Sequence, residues 1–207
     1  MNITSITLLS SILVALITSV LGPILLVWVR NKFDNTKKID TLGEAFKVNE
    51  EVDHQLDIMM DKLKCDRIWI AQFHNGGHFY PTGKSIQKFS IFYEKISPLI
   101  VPVRNIFQNI PTSLFPKTLV KLHNDGELII HDNEISNYQD ISYLFDNCKA
   151  KSLYMIAIKD LEGHFIGMIS VSYEVNKHTL NQEEWIFLRQ KIGAIGSILT
   201  NYLNQQK

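Results

Sequence analysis

The sequence predicts an α+β protein, with one antiparallel sheet flanked by helices behind an N-terminal transmembrane helix. Three observations predict it. Residues 6–29 contain no charged side chain. Apolar residues recur at helical spacing near both ends of the remaining chain, and between those stretches the apolar period changes to two.

The apolar run comes first. As a helix its 24 residues would extend about 36 Å at roughly 1.5 Å per residue, enough to cross a hydrocarbon core of about 30 Å with some tilt. Ser10, Ser11, Thr18 and Ser19 are too mild to form a soluble polar face, and their hydroxyls can bond back to the helix. Gly22-Pro23 marks a kink that a bilayer helix tolerates. A cleaved signal peptide fits poorly, because no Lys or Arg precedes the run and no small-x-small site follows it. Trp28 suits the interface, and Arg30, Lys32, Lys37 and Lys38 come next. By the positive-inside rule the N-terminus is outside and the rest is cytoplasmic. Cys65 and Cys148 suit that reducing side as ordinary buried thiols. The expected organisation is an anchor over residues 1–30, a juxtamembrane linker over 31–39 and one domain over 40–207.

With 21 basic and 21 acidic residues, the chain gives no composition-level case for nucleic acid, since no basic stripe stands ready to neutralise phosphates. The cluster after the anchor is accounted for by topology and anionic lipid headgroups.

Leu42, Ala45, Asn49, Val52, Leu56, Met59 and Leu63 alternate by three and four, which predicts a helix ending near Lys64. Asn49 falls inside this seam, where a polar residue often fixes register or oligomeric state. Residues 67–74 (RIWIAQFH) and 86–94 (IQKFSIFYE) read as strands, separated by a glycine-rich loop over 75–85. The region around Pro98, Pro102 and Pro111 reads as irregular. Residues 114–123 and 141–148 suit helices, and a short strand at 127–131 follows Asp125-Gly126. Residues 152–159 and 164–174 form a hairpin about Leu161-Glu162-Gly163. Trp185, Leu188, Ile192, Ile195, Leu199 and Tyr202 define a closing helix, with Asn181 as its cap and Glu183 and Glu184 in its first turn. Each helical seam either packs on its own sheet or joins a parallel homodimer.

Several of these segments carry a resemblance. Ala150-Lys151-Ser152-Leu153 leads into a strand, Asp160-Leu161-Glu162-Gly163 turns, Ile166-Gly167-Met168-Ile169 returns, and an amphipathic helix follows Leu180. This stretch resembles the C-terminal half of a GAF domain, and the element order from Leu42 onward matches as well. The resemblance implies a GAF-like antiparallel sheet with a small-molecule or dimerisation role. It also implies an output component, expected here as a separate protein. Fold by itself does not supply function.

The candidate ligand-binding residues centre on the loop His74-Asn75-Gly76-Gly77-His78-Phe79-Tyr80, with Lys84 completing it. Glycines let backbone approach a ligand, while His, Asn and Tyr supply directional polar groups. Tyr93, His131 and Tyr154, with His123 and Asp132, are candidate opposing contacts. The competing reading is a long hairpin turn whose His74 and Asn75 cap neighbouring backbone groups.

Other motifs are set aside. Asn31-Lys32-Phe33-Asp34 looks like a cyclic-nucleotide signature but lies at the membrane exit. His74 and His78 flank two glycines, which spoils helical metal-ligand geometry, so no metal is expected. Cys65 and Cys148 are too few for methionine-sulfoxide-reducing chemistry, and the neighbours of Cys148 do not support bilin attachment. Gly77 to Gly83 has one residue too many for a phosphate-binding loop, and a strand follows. No reaction class can be assigned, so no catalytic residue and no enzyme is expected, and the cofactor is unknown. The sequence thus predicts a membrane-anchored cytoplasmic sensory domain that binds a small molecule and signals through its flanking helices. The alternatives are a ligand-free dimerisation or docking module, and a span that is itself the effector.

Overall fold

The computed structural model describes residues 11, 13–33, 40–79, 81–131 and 138–205. Tyr80, Asp132, linker residues 34–39 and the first part of the apolar run lie outside them. The chain divides into two compact units, residues 1–44 and 45–207.

In the first unit a π turn at Ile17–Leu21 precedes helix α1 (Gly22–Phe33). Pro23 lacks an N–H and crowds the preceding turn, which is where such a register slip belongs. Thr18 Oγ1 donates to the Val14 carbonyl at 2.9 Å, the back-bonding expected of a hydroxyl among apolar residues. Among the described residues no helix is long and apolar enough to cross a membrane. The expected span over residues 6–29 is therefore described only in its later part, interrupted by the π turn.

Helix α2 (Thr41–Leu63) opens on Asp40, whose Oδ1 accepts the Gly43 N–H at 2.9 Å. It buries Val52, Leu56, Met59 and Leu63 and ends at Lys64, which takes a positive φ of 50°. The sheet comprises β1 (Arg67–His78), β2 (Ser85–Ile96), β3 (Ile110–Pro111), β4 (Glu127–His131), β5 (Ser152–Lys159) and β6 (Phe165–Tyr173). Its strand order is β3-β2-β1-β6-β5-β4, with every pairing antiparallel.

β1 is longer than the sequence suggests. Asn75 to His78 belong to the strand rather than to a loop, because β2 continues to pair with them as far as His78↔Ser85. The two-residue β3 and the 3₁₀ turn at Thr112–Leu114 also lie in the stretch read as irregular. Helix α3 (Pro116–Asp125) closes on Gly126 at φ 81°, and α4 (Ser142–Cys148) leads back toward β5. Helix α5 (Gln182–Gln205) begins with a reciprocal cap: Glu184 N–H donates to Asn181 Oδ1 at 3.0 Å, and Asn181 N–H donates to Glu184 Oε2 at 2.8 Å.

The sheet is covered on both faces. On one face α2 and α5 pack Leu56, Met59, Leu188, Ile192 and Ile195 against Ile68, Ile70, Ile156, Ile169 and Val171. On the other, the segment between β2 and β5 packs Phe107, Phe115, Leu122 and Ile141 against Trp69, Ala71, Ile91, Met155 and Met168. Double coverage explains why consecutive residues of the central strands β1, β5 and β6 are buried, rather than alternate ones. Gly167 permits the closest strand approach, since a Cβ there would lie 2.5 Å from the Ala71 carbonyl oxygen.

Arg67 fastens the covering segment to the sheet. Its side chain is only 1% exposed; Nε donates to Glu174 Oε1 at 2.7 Å, Nη2 donates to the Val101 carbonyl at 2.8 Å, and Nη1 bonds Glu94. Glu94 in turn accepts the backbone N–H groups of Val103 and Arg104, both at 2.9 Å. Burial works against the guanidinium charge, but the two carboxylates outweigh it and hold the Arg67 pKa above its ordinary value.

Candidate functional site

The covered face contains a narrow enclosed cavity. Trp69, Phe89, Ile91, Phe107, Phe115, Thr118, Leu119, Ile141, Met155 and Met168 line it. Space for water centres is about 10 Å³, roughly that of a single water. The strands supply its floor, and α3 with the segment before it supplies the roof. Phe115 meets Phe89 edge to face, with ring centroids 5.5 Å apart.

Two polar atoms are stranded on the lining residues. The Trp69 indole N–H and the Thr118 hydroxyl are buried without a hydrogen-bond partner. Asp140 stands beside Thr118 at the first turn of α3, where its Oδ2 accepts the Thr118 backbone N–H at 2.9 Å. Its other oxygen, Oδ1, is also buried and unpartnered. Such orphaned groups are uncommon in folded proteins and call for a partner. Between them these residues carry an N–H donor, a hydroxyl able to donate or accept, and a carboxyl oxygen.

The residues singled out in the sequence lie elsewhere. None of those within the described residues lines this cavity. His74 Nε2 bonds Ser90 Oγ at 2.8 Å, and Asn75 Oδ1 accepts from Gln87 Nε2 at 3.3 Å. Gly76 lies under the Lys88 stem, which occupies the space a Cβ would need, and Gly77 has φ 105°. The Lys84 carbonyl accepts the Phe79 N–H at 2.8 Å. Tyr93 donates to Asn49 Oδ1 at 2.8 Å, so the polar residue in the α2 seam is engaged within its own domain. His74 and Tyr93 do share an open groove with Ala45, Asn49, Phe92, Phe165, Tyr202 and Leu203.

His131 and Tyr154 belong to the opposite side of the strand order. His131 Nδ1 lies 3.2 Å from Ser152 Oγ, and its ring meets Tyr154 edge-on. The Tyr154 hydroxyl donates to the His178 carbonyl at 2.7 Å and accepts the Leu180 N–H at 3.2 Å. That side chain ties β5 to the start of α5. His123 packs against Phe165 at 6.2 Å. The structure therefore brings His74 and Tyr93 together, but not with His131 and Tyr154.

Sequence reasoning missed Trp69, Thr118 and Asp140. One signal was present: a tryptophan in the middle of a strand buried on both faces needs a partner for its N–H. Asp160, Glu162 and His164 cluster at the β5–β6 turn with potential metal-ligand atoms within 4.8 Å of one another. The Asp160 carboxylate is already engaged there by the Glu162 and His164 backbone N–H groups, at 2.9 and 2.8 Å.

Burial pushes the thiols of Cys65 and Cys148 up to about 12, so neither is a thiolate at neutral pH.

No protein-family model matches the sequence, and no curated protein matches it. Solved structures do. The blue-light-absorbing form of the Thermosynechococcus elongatus PixJ GAF domain superposes with a TM-score of 0.62 at 12% identity, covering 80% of this chain and 93% of that one. GAF3 of Slr1393 from Synechocystis gives 0.58 at 15% identity, with 77% and 97% covered. The phycoerythrobilin-bound GAF domain of a cyanobacterial phytochrome gives 0.55 at 12% identity, with 82% and 100% covered. At these identities the likeness is one of fold, and the chain carries a GAF-like domain.

The bilin named for the last of these does not fit the cavity seen here. Drug-sized ligands occupy pockets of roughly 300–1,000 Å³, whereas this cavity has space for about one water. Neither cysteine is among its lining residues.

Proposed function

We propose that this chain is a membrane-anchored, cytoplasmic GAF-like sensory domain that binds a small molecule and signals through its flanking helices. The cavity under α3 carries the reading: its surface is apolar, two of its lining residues, Trp69 and Thr118, hold a buried polar atom without a hydrogen-bond partner just behind that surface, and Asp140 is bound to the Thr118 backbone. A compact planar molecule with both a donor and an acceptor would satisfy those atoms, provided the α3 roof yields to admit it. The phycoerythrobilin-bound neighbour supports a ligand on this fold, though of a different size.

The anchor reading draws on the first unit, where Ile24, Leu25, Leu26, Val27 and Trp28 are all more than half exposed, Leu26 at 71%. Apolar side chains in such a row need lipid or protein cover.

Signalling requires the ligand to favour one arrangement of the helices over another. β1 offers the connection, since Trp69 faces the cavity while Ile68 and Ile70 face α2 and α5. Retention of a small molecule by the purified full chain, read by native mass spectrometry, tests the proposal. Wild type should carry an adduct that Thr118→Val and Asp140→Ala lose. An adduct untouched by both changes but removed by His74→Ala would move the site to the open groove.

The narrowness of the cavity favours one second reading, a ligand-free module that dimerises or docks a separate output protein. Leu42 and Phe46 on α2, each 62% exposed, would serve it. A chain without any adduct but dimeric by mass would support that reading instead.

A further inference from the structure

The β1–β2 hairpin outgrows its sheet. β6 pairs with β1 only as far as Gln72, whereas β2 continues to His78↔Ser85. β3 pairs with β2 at Lys88 and Phe89, so residues 75–78 and their partners form a two-stranded arm, about 13 Å long at roughly 3.3 Å per residue. Its tip is a closed turn: Phe79 N–H donates to the Lys84 carbonyl and Gly83 N–H to the Phe79 carbonyl, both at 2.8 Å. Phe79 itself is 55% exposed. Beyond the Thr112 hydroxyl's bond to the Gln87 carbonyl, the ribbon and its exposed aromatic tip add little to the core, so its length calls for another use.

Its charge is one-sided. Residues 67–93 contain no Asp or Glu, in a chain that has 21 acidic residues, and the arm carries Lys84 at its tip and has Lys88 at its root.

Its root is equally specific. The groove at the base of the arm is lined by His74 and Phe92 together with Ala45 and Asn49 of α2 and Tyr202 of α5. The arm thus leaves the domain at the end where α2 enters it, and Ala45 follows Arg30 by only 15 residues in the sequence.

We propose that this arm is a lipid-contacting element, which lays its aromatic and lysine-bearing tip on the anionic headgroups of the membrane that carries the anchor. The inference rests on the anchor reading given above. Aromatic rings favour the interfacial zone, and lysines beside an anionic leaflet are attracted within about a Debye length. The contact would fix the orientation of the domain beneath the bilayer. A shift of α2 would then be delivered against a fixed support.

The full chain reconstituted in vesicles tests it. Thr82→Cys at the arm tip takes a polarity-sensitive dye at neutral pH, because both native thiols are buried and protonated. In phosphatidylcholine vesicles containing phosphatidylserine the emission should shift to the blue, and high salt should reverse the shift. The double change Lys84→Glu and Lys88→Glu should lower the ratio of bound to free arm more than tenfold, and Phe79→Ser should weaken it. Identical emission in vesicles with and without phosphatidylserine overturns the proposal and leaves the arm to a protein partner. A chain that floats with neither kind of vesicle overturns the anchor reading, and the lipid role of the arm with it.

Discussion

A threonine hydroxyl buried without a partner costs about 1–3 kcal/mol. Thr118→Val keeps the shape and removes that group. The ligand-free variant is therefore expected to melt above wild type while losing the retained small molecule, the trade expected of a polar group kept for binding. A lower melting temperature in the ligand-free variant would contradict this. Arg67 tests the opposite case, because its partners are present and buried: Arg67→Ala strands Glu94 and Glu174 and should cost about 3–5 kcal/mol in denaturant titration. Iodoacetamide at neutral pH should leave Cys65 and Cys148 unmodified in the folded chain, as a mass spectrum would show, because burial keeps both thiols protonated. At this scale the sequence was least legible. His74 and Asn75 stood out because glycines flank them, whereas Thr118 and Asp140 become distinctive only once folding buries them without enough partners.

Elements were easier to read. β4 and β5 have the bounds read from the sequence, and the closing helix begins beside the expected Asn181 cap. The reciprocal use of Glu184 adds a testable detail. Glu184→Ala opens the capping box and removes a partner 3.1 Å from His178 Nε2, so thermal denaturation should show a loss of about 1 kcal/mol. The misread elements have local causes. Gly76-Gly77 looked like a loop but continue β1, because β2 goes on pairing and Gly76 leaves space for the Lys88 stem. β3 has two residues, too few for any period to register.

For the whole molecule, helical seams enclosing a period-two centre were enough to indicate a helix-flanked antiparallel sheet with the GAF element order. What they could not indicate was which face is left imperfectly satisfied, since that depends on how the segment between β2 and β5 folds over the sheet. The account places ligand and helices on opposite faces of one sheet, with β1 touching both. The chain has three tryptophans, of which Trp69 alone lines the cavity. The most direct measurement is the indole N–H spectrum of the ¹⁵N-labelled full chain in nanodiscs, stripped of retained small molecules and then reloaded with what was stripped. The account predicts that the Trp69 resonance moves on reloading and that those of Trp28 and Trp185 move far less. A Trp69 resonance that stays in place while the molecule rebinds would contradict it.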